Sequence, residues 1–98
     1  MPAYQEKMEE QEDVAVDTEH PEPWQLIVWN DEVNTFEWVI ESLMEVCGHT
    51  EEQAEQCALI IHHQGKYAVK EGDITTLTPM CEALLDRGIG ATLETVNA

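Results

Sequence analysis

Basic side chains are nearly absent from this sequence. Lys7, Lys66, Lys70 and Arg87 are the only Lys or Arg, against 21 Asp and Glu, which gives a formal net charge of −17. Interfaces with nucleic acid or with an anionic lipid surface are built on Lys and Arg. Both classes are excluded, and cationic partners are favoured. Long apolar runs are missing as well, so no segment is expected to cross a membrane. The start of the chain lacks the basic-then-apolar pattern of a secretory signal and is too acidic for a transit peptide. The cysteines number three. An odd count without paired spacing reads as reduced thiols in a cytoplasmic compartment, with no disulfide framework. Neither C-x₂-C nor H-x₃-H occurs, which removes the usual zinc patterns. Cofactors are not expected.

What is present divides into two parts. Residues 1–23 hold eight acids and one lysine, with Val14, Ala15 and Val16 as their sizeable apolar cluster. Such a stretch cannot bury enough surface to offset its ordering entropy and reads as a disordered acidic arm. Residues 24–98 read as one small core domain. "WQLIVW" (24–29) is aromatic and β-branched, a strand. Asn34 with Glu37 has the spacing of a capping box. Behind it Phe36, Val39, Ile40, Leu43, Met44 and Cys47 recur at helical spacing, opposite Glu37, Glu41 and Glu45. Gly48 ends that helix. Thr50 and Gln53 form a second capping box, opening a helix to about Gln64 whose apolar side carries Ala54, Cys57, Ala58 and Ile61, closed by Gly65. "KYAVK" (66–70) reads as a strand, "EGD" as its turn, and Thr78-Pro79 as the start of a third helix that stops at Gly88. "GATLET" reads as a last strand. The expected fold is α+β in the order β-α-α-β-α-β, a three-stranded antiparallel sheet with three helices packed on it.

The first two helices are of similar length and joined by a short connection, which makes them antiparallel neighbours. The start of one then lies beside the end of the other. That brings Asn30, Asp31 and Glu32 near His62 and His63, about thirty residues away in sequence. Amide oxygen, carboxylate and neutral imidazole all accept hydrogen bonds, and the acids add negative charge. A protonated α-amino group, which donates three bonds, suits such a group. Phe36, Val39, Ala58 and Ile61 lie just inside and could line an apolar pocket for the side chain attached to that amine. Each residue also has a structural reading on its own. Asx residues before a helix are commonly turn and cap residues, a His near a helix end is favoured by the dipole, and the apolar four could be plain core.

At these residues the sequence resembles the ClpS family, adaptors that bring N-degron substrates to Hsp100-type unfoldases of the Clp protease. The likeness lies in "NDE", where the family usually has N-D-D, in "ALIIHHQGK", similar to the family's L-x-x-V-H-x-x-G-K, and in "GIGATLE". The shorter actinobacterial-type members are the most similar. The resemblance implies a non-catalytic adaptor in which Asn30 and His62 bond the substrate's α-amine and Asp31 acts through water or by its field. Glu32 and Asn34 would support the loop. Phe36, Val39, Ala58 and Ile61 would surround the N-terminal side chain, with Ile89 at the rim. It implies substrates with N-terminal Phe, Tyr, Trp or Leu, a monomer, and docking to the N-terminal domain of a ClpA- or ClpC-type unfoldase. Glu32 stands where the family has a second Asp, and Phe36 and Ala58 stand where members often have Met. The depth left by Ala58 favours aromatic N-termini over Leu.

Two other classes compete. An enzyme would need Cys47, Cys57 or Cys81 as a nucleophile, yet the first two fall on apolar helix faces where thiols are inert. The fold expected here is also similar to the C-terminal domain of the ribosomal stalk protein, an acidic interaction domain that has no need of the Asn30, Asp31 and His62 group.

Overall fold

The structure, a computed structural model, describes residues 23–96. The acidic arm expected over residues 1–23 lies outside the described residues except for Pro23. Strand β1 (Trp24–Trp29) is followed by α1 (Phe36–Cys47), α2 (Glu51–Gln64), β2 (Lys66–Gly72), α3 (Ile74–Asp86) and β3 (Ala91–Thr95). The sheet has the order β2-β1-β3, with β1 antiparallel to both neighbours. This is the α+β arrangement and the element order that the sequence predicts.

Alternation along β1 sends Leu26 and Val28 into the core, where they meet Leu43 of α1, Ile61 of α2, and Leu77 and Leu84 of α3. The β1–β2 register slips between Leu26 and Ile27: Leu26 faces Lys70 while Ile27 faces Ala68. The extra residue in this bulge is Val69, which is buried in the same core. A bulge that turns one more apolar side chain inward adds roughly 1.5–3 kcal/mol of burial.

Helix ends explain how the layers are joined. Thr50 and Gln53 form the reciprocal capping box at the start of α2. Gly48 and Gly65 close α1 and α2 in the left-handed region, with φ of 76° and 91°. At Gly65 this conformation lets the chain pass from Gln64 of α2 to Lys66 of β2 through a single residue. A side chain there would be strained.

Several local expectations are corrected. The N-cap of α1 is Thr35, whose hydroxyl accepts from Trp38 N–H; Asn34 is drawn instead into the preceding loop. The third helix starts at Ile74, not at Pro79, because Leu77, Cys81 and Leu84 must share one buried face, which requires helix through residue 77. Glu71 and Gly72 consequently stay in β2, and Asp73 occupies the N-cap. Pro79 sits inside the helix, and the Thr78 hydroxyl donates to the Ile74 carbonyl at 2.6 Å. Met44, expected on the apolar side of α1, is 37% exposed.

Arg87 fastens α1 to the end of α3. Its guanidinium donates to Ser42 Oγ at 3.3 Å, pairs with Glu45 at 2.8 Å and lies over the Trp38 ring at 5.4 Å. The Trp38 indole N–H donates to the Arg87 carbonyl at 3.1 Å. Ser42 is fully buried, so removing its charged partner strands a polar group. Arg87→Ala should lower unfolding stability by about 2 kcal/mol. Urea denaturation checks this, with Arg87→Lys expected to recover part of the loss.

His49, in the connection between α1 and α2, is partly buried rather than exposed as its loop position suggests. Its Nε2 lies 2.9 Å from the Val69 carbonyl, which makes it the donor, and Nδ1 lies 4.0 Å from Cys57 Sγ. Burial pushes the imidazole pKa below its ordinary 6.5, outweighing the Val69 bond, which pulls it up. A depressed folded value means that the unfolded chain takes up the proton first, so His49 contributes stability above about pH 6.5 that is lost as pH falls through the folded value. Between pH 7.5 and 5.5 the urea midpoint of the native chain should fall relative to that of His49→Gln. Parallel pH profiles for the two would contradict it.

Candidate functional site

The end of β1 is held from two sides. Trp29 N–H donates to the Gly90 carbonyl at 3.0 Å, and Asn30 N–H donates to the Gly65 carbonyl at 2.9 Å. The second bond joins the residue that leaves the sheet to the residue that closes α2. It therefore fixes Asn30 one turn beyond Ile61 and His62, as the antiparallel hairpin requires.

The loop that follows is ordered by Asp31. Its Oδ1 accepts from Val33 N–H at 2.8 Å and Asn34 N–H at 2.7 Å, and its Oδ2 accepts from Asn34 Nδ2 at 2.7 Å. The Asn34 N–H holds the Asp31 carboxyl below its ordinary range, helped by the Asn34 side chain and Val33 N–H and opposed by desolvation. Asn34 Nδ2 also donates to the Gly88 carbonyl at 2.9 Å, tying the loop to the turn before Ile89. Loop support thus falls to Asp31 and Asn34. The expectation for Glu32 is corrected: it is exposed and makes no hydrogen bond among the described residues, because its neighbour already takes the available N–H groups. The Asn30 side-chain amide likewise has no partner among the described residues and remains available.

Loop, hairpin and turn enclose a cavity of about 350 Å³. Ten of the residues singled out from the sequence border it: Asn30, Asp31, Glu32 and Asn34 from the loop, Phe36 and Val39 from α1, Ala58, Ile61 and His62 from α2, and Ile89 from the α3–β3 turn. Ala58, Ile61 and Ile89 are 3%, 4% and 2% exposed and form the apolar depth. Ile89 is therefore part of the buried wall and not of the rim, because its N–H is drawn back to the Leu84 carbonyl at 3.0 Å. Phe36 is 39% exposed at the mouth. Its ring meets His62 edge-on, with centroids 6.2 Å apart. His63 does not border the cavity, although its ring touches that of His62 at 5.4 Å. Val28, Trp29 and Thr35 also border it and were missed. The signal for Trp29 was its place immediately before Asn30. Its indole N–H is anchored to Thr92 Oγ1 at 2.9 Å, and Lys66 Nζ lies 4.8 Å over its ring.

The cavity combines a polar rim with an apolar depth. Its rim offers an amide, carboxylates and an imidazole, and its depth offers only aliphatic surface. The thiols lie elsewhere: all three are buried and free, and burial pushes each upward, Cys47 to about 11. A thiol so far above neutrality is a poor nucleophile. Among the described residues no three His, Cys, Asp or Glu cluster in a way that could hold a metal ion, and no helix is long and apolar enough to cross a membrane.

A small α+β domain with a ligand-sized cleft at the open end of a helical hairpin is the class defined by these observations. The family model described as "ATP-dependent Clp protease adaptor protein ClpS" matches residues 19–94. The chain belongs to the ClpS family of Clp protease adaptors. Among similar curated proteins, the ATP-dependent Clp protease adapter protein ClpS of Streptomyces avermitilis is 32% identical, over 91% of this chain and 85% of that protein. That of Streptomyces coelicolor is 30% identical, over 91% of this chain and 93% of its own. That of Corynebacterium aurimucosum is 30% identical, over 90% and 79%. Among solved structures, Agrobacterium tumefaciens ClpS2 bound to L-phenylalaninamide shares the fold, with a TM-score of 0.66 at 18% identity, covering 76% of this chain and 98% of that one.

If Asp31 orders the loop, Asp31→Ala should expose the Val33 and Asn34 amides, raising their hydrogen-exchange rates about tenfold for a lost bond worth about 1.4 kcal/mol. Because the folded carboxyl sits below its ordinary 3.8, the native loop should keep its protection down to that pH and lose it as acid protonates Asp31 below it. Unchanged exchange in the variant would remove Asp31 from this role.

Proposed function

We propose that the cleft binds the free α-amino group and the bulky N-terminal side chain of N-degron substrates, and that the chain delivers them, in a cytoplasmic setting, to a ClpA- or ClpC-type Clp unfoldase through the latter's N-terminal domain. The observation that carries this reading is the coincidence of unspent acceptors with an apolar hole. The Asn30 side-chain amide has no partner among the described residues, the His62 ring borders the same cavity, and Asp31 and Glu32 add negative charge at its rim. A protonated amine donates three hydrogen bonds and carries the sign this rim favours. Asp31 spends three acceptor positions on the loop, so it acts on the amine mainly by its field, with Asn30 and His62 as the direct acceptors.

The apolar depth then reads the side chain. Phe36, Val39, Ala58, Ile61 and Ile89 would surround it, with small Ala58 leaving length for a ring and Phe36 offering an edge or face to stack on. L-Phenylalaninamide, the molecule in the similar ClpS2 structure, combines a free amine with a benzyl group, the two features this cleft is suited to accept. The reading makes the protein a binder, with no bond made or broken.

Peptides that differ only in residue one, each with a free and an acetylated N-terminus, test it by fluorescence anisotropy. Phe, Tyr and Trp should bind more tightly than Leu by about 1 kcal/mol, the scale on which apolar pockets discriminate. Acetylation should abolish binding, because acceptors left without donors cost about 1–3 kcal/mol each. His62→Ala should fold and bind weakly. Equal affinity for acetylated peptides would overturn the proposal.

A further inference from the structure

A second groove continues the seam between α1 and α2 away from the cleft. It has a volume of about 450 Å³ and is bordered by Glu37, Ile40, Glu41, Met44 and Glu45 of α1 and by Glu51 and Glu55 of α2. On α1, Phe36 of the cleft is followed at helical spacing by Ile40 and Met44 of the groove. On α2, Ala58 of the cleft is preceded by Glu55 and Glu51 of the groove. Cleft and groove are thus successive stations on one seam. The floor is apolar, with Met44 37% exposed, an adaptable side chain common at surfaces that accept varied sequences. The walls are acidic. Glu45 is paired with Arg87, while Glu37, Glu41, Glu51 and Glu55 have no salt-bridge partner among the described residues.

From this we infer that the groove receives the substrate's own chain beyond its N-terminal residue and selects N-degrons that carry Lys or Arg among apolar residues a few positions in. The inference rests on the proposed reading of the cleft. Ile40 and Met44 stand one and two turns along α1 from Phe36, about 6 and 12 Å at 1.5 Å per residue. An extended peptide advances about 3.3 Å per residue, so residues from about the third to the fifth lie over the groove when the first fills the cleft. Lys and Arg lay aliphatic stems on an apolar floor while their charged heads reach the rim, which matches Ile40 and Met44 between glutamates. Charge argues against the nearer alternatives. The chain's own residues 1–23 hold eight acids to one lysine, and a second copy brings a net −17; both have the sign the groove repels.

The test uses peptides with a free N-terminal Phe, a neutral second residue, and Lys, Gln or Glu at positions three and five. Affinity is read by anisotropy at low and at physiological salt, for the native chain and for two double variants. Glu41→Gln/Glu55→Gln neutralises the groove. Glu71→Gln/Glu94→Gln makes the same change in net charge on exposed sheet positions. The native chain should bind the Lys peptide about five- to tenfold more tightly than the Gln peptide at low salt, less so as salt rises, since exposed pairs are individually weak and screened. The groove variant should lose this advantage while binding the Gln peptide as before, and the sheet variant should keep it. Equal affinities for Lys and Gln peptides overturn the inference, as does an advantage that survives in the groove variant or disappears in both. An acetylated Lys peptide that binds as well as the free one also overturns it, because the groove would then act without the cleft. If the Gln peptide with a free Phe terminus does not bind at all, the reading of the cleft itself fails and takes this inference with it.

Discussion

One backbone hydrogen bond, from Asn30 N–H to the Gly65 carbonyl, holds the cleft together. Residue 30 is where the chain leaves the middle strand, and residue 65 is where it leaves the second helix. Their bond closes a long loop of sequence, and loop closure carries an entropy cost that grows with length. That cost is met by the helical hairpin between them, whose two capped helices and three-residue connection at residues 48–50 return the chain to its start. Everything polar at the cleft mouth follows from it. Asn30 is placed by its own N–H, His62 by lying one turn before Gly65, and Phe36 by opening the helix that packs against His62.

The loop after Asn30 shows how charge is divided between structure and ligand. Three adjacent acceptor-bearing residues at a strand end are more than a turn needs. Asp31 is used structurally, with both oxygens engaged, and it passes an anchor through Asn34 to Gly88 at the opposite wall. The carboxylate thus fixes the distance between the rim and Ile89 while keeping its negative charge at the mouth. Its neighbours on either side, Asn30 and Glu32, have side chains without a hydrogen-bond partner among the described residues. Rigid support beside available acceptors is the arrangement that lets a site bind without first reorganising.

Much of this was legible in the sequence because the hairpin is specified by strong local rules. Two apolar stripes of helical period, a reciprocal capping box at Thr50 and Gln53, and glycines at 48 and 65 leave little freedom in how the helices meet. All ten residues expected around the cleft border it for that reason. The misreadings arose where a local rule competed with packing. Asn34 is as good a cap as Thr35 by propensity, but Asp31 recruits it first. Pro79 marks a helix start by preference, yet Leu77 must be buried alongside Cys81 and Leu84, and burying that side chain outweighs the proline's missing hydrogen bond. His49 sits in a loop, which suggests exposure, while its partner is the Val69 carbonyl from a strand twenty residues on. Contacts of that kind join distant segments and leave no mark on periodicity.

The pattern of exposure along the hairpin also bears on how selective the cleft can be. At its depth stand Ala58, Ile61 and Ile89, nearly inaccessible; at its mouth Phe36 is more than a third exposed. A small residue at the base lengthens the hole, and a ring at the mouth narrows its entrance on one side. Apolar walls distinguish side chains by only about 1–3 kcal/mol per methylene, whereas acceptors that a bound ligand covers reject a molecule lacking the matching donor far more strongly. On the proposed reading, recognition of a chain terminus as such would rest with Asn30 and His62, and ranking among termini with Ala58 and Phe36. The two tasks sit on different parts of the fold, the first tied to the Asn30–Gly65 bond and the second to the packing of α1 on α2. On that reading substitution at residue 58 would retune preference, whereas substitution of Phe36, whose ring meets that of His62, would reach the amine site as well.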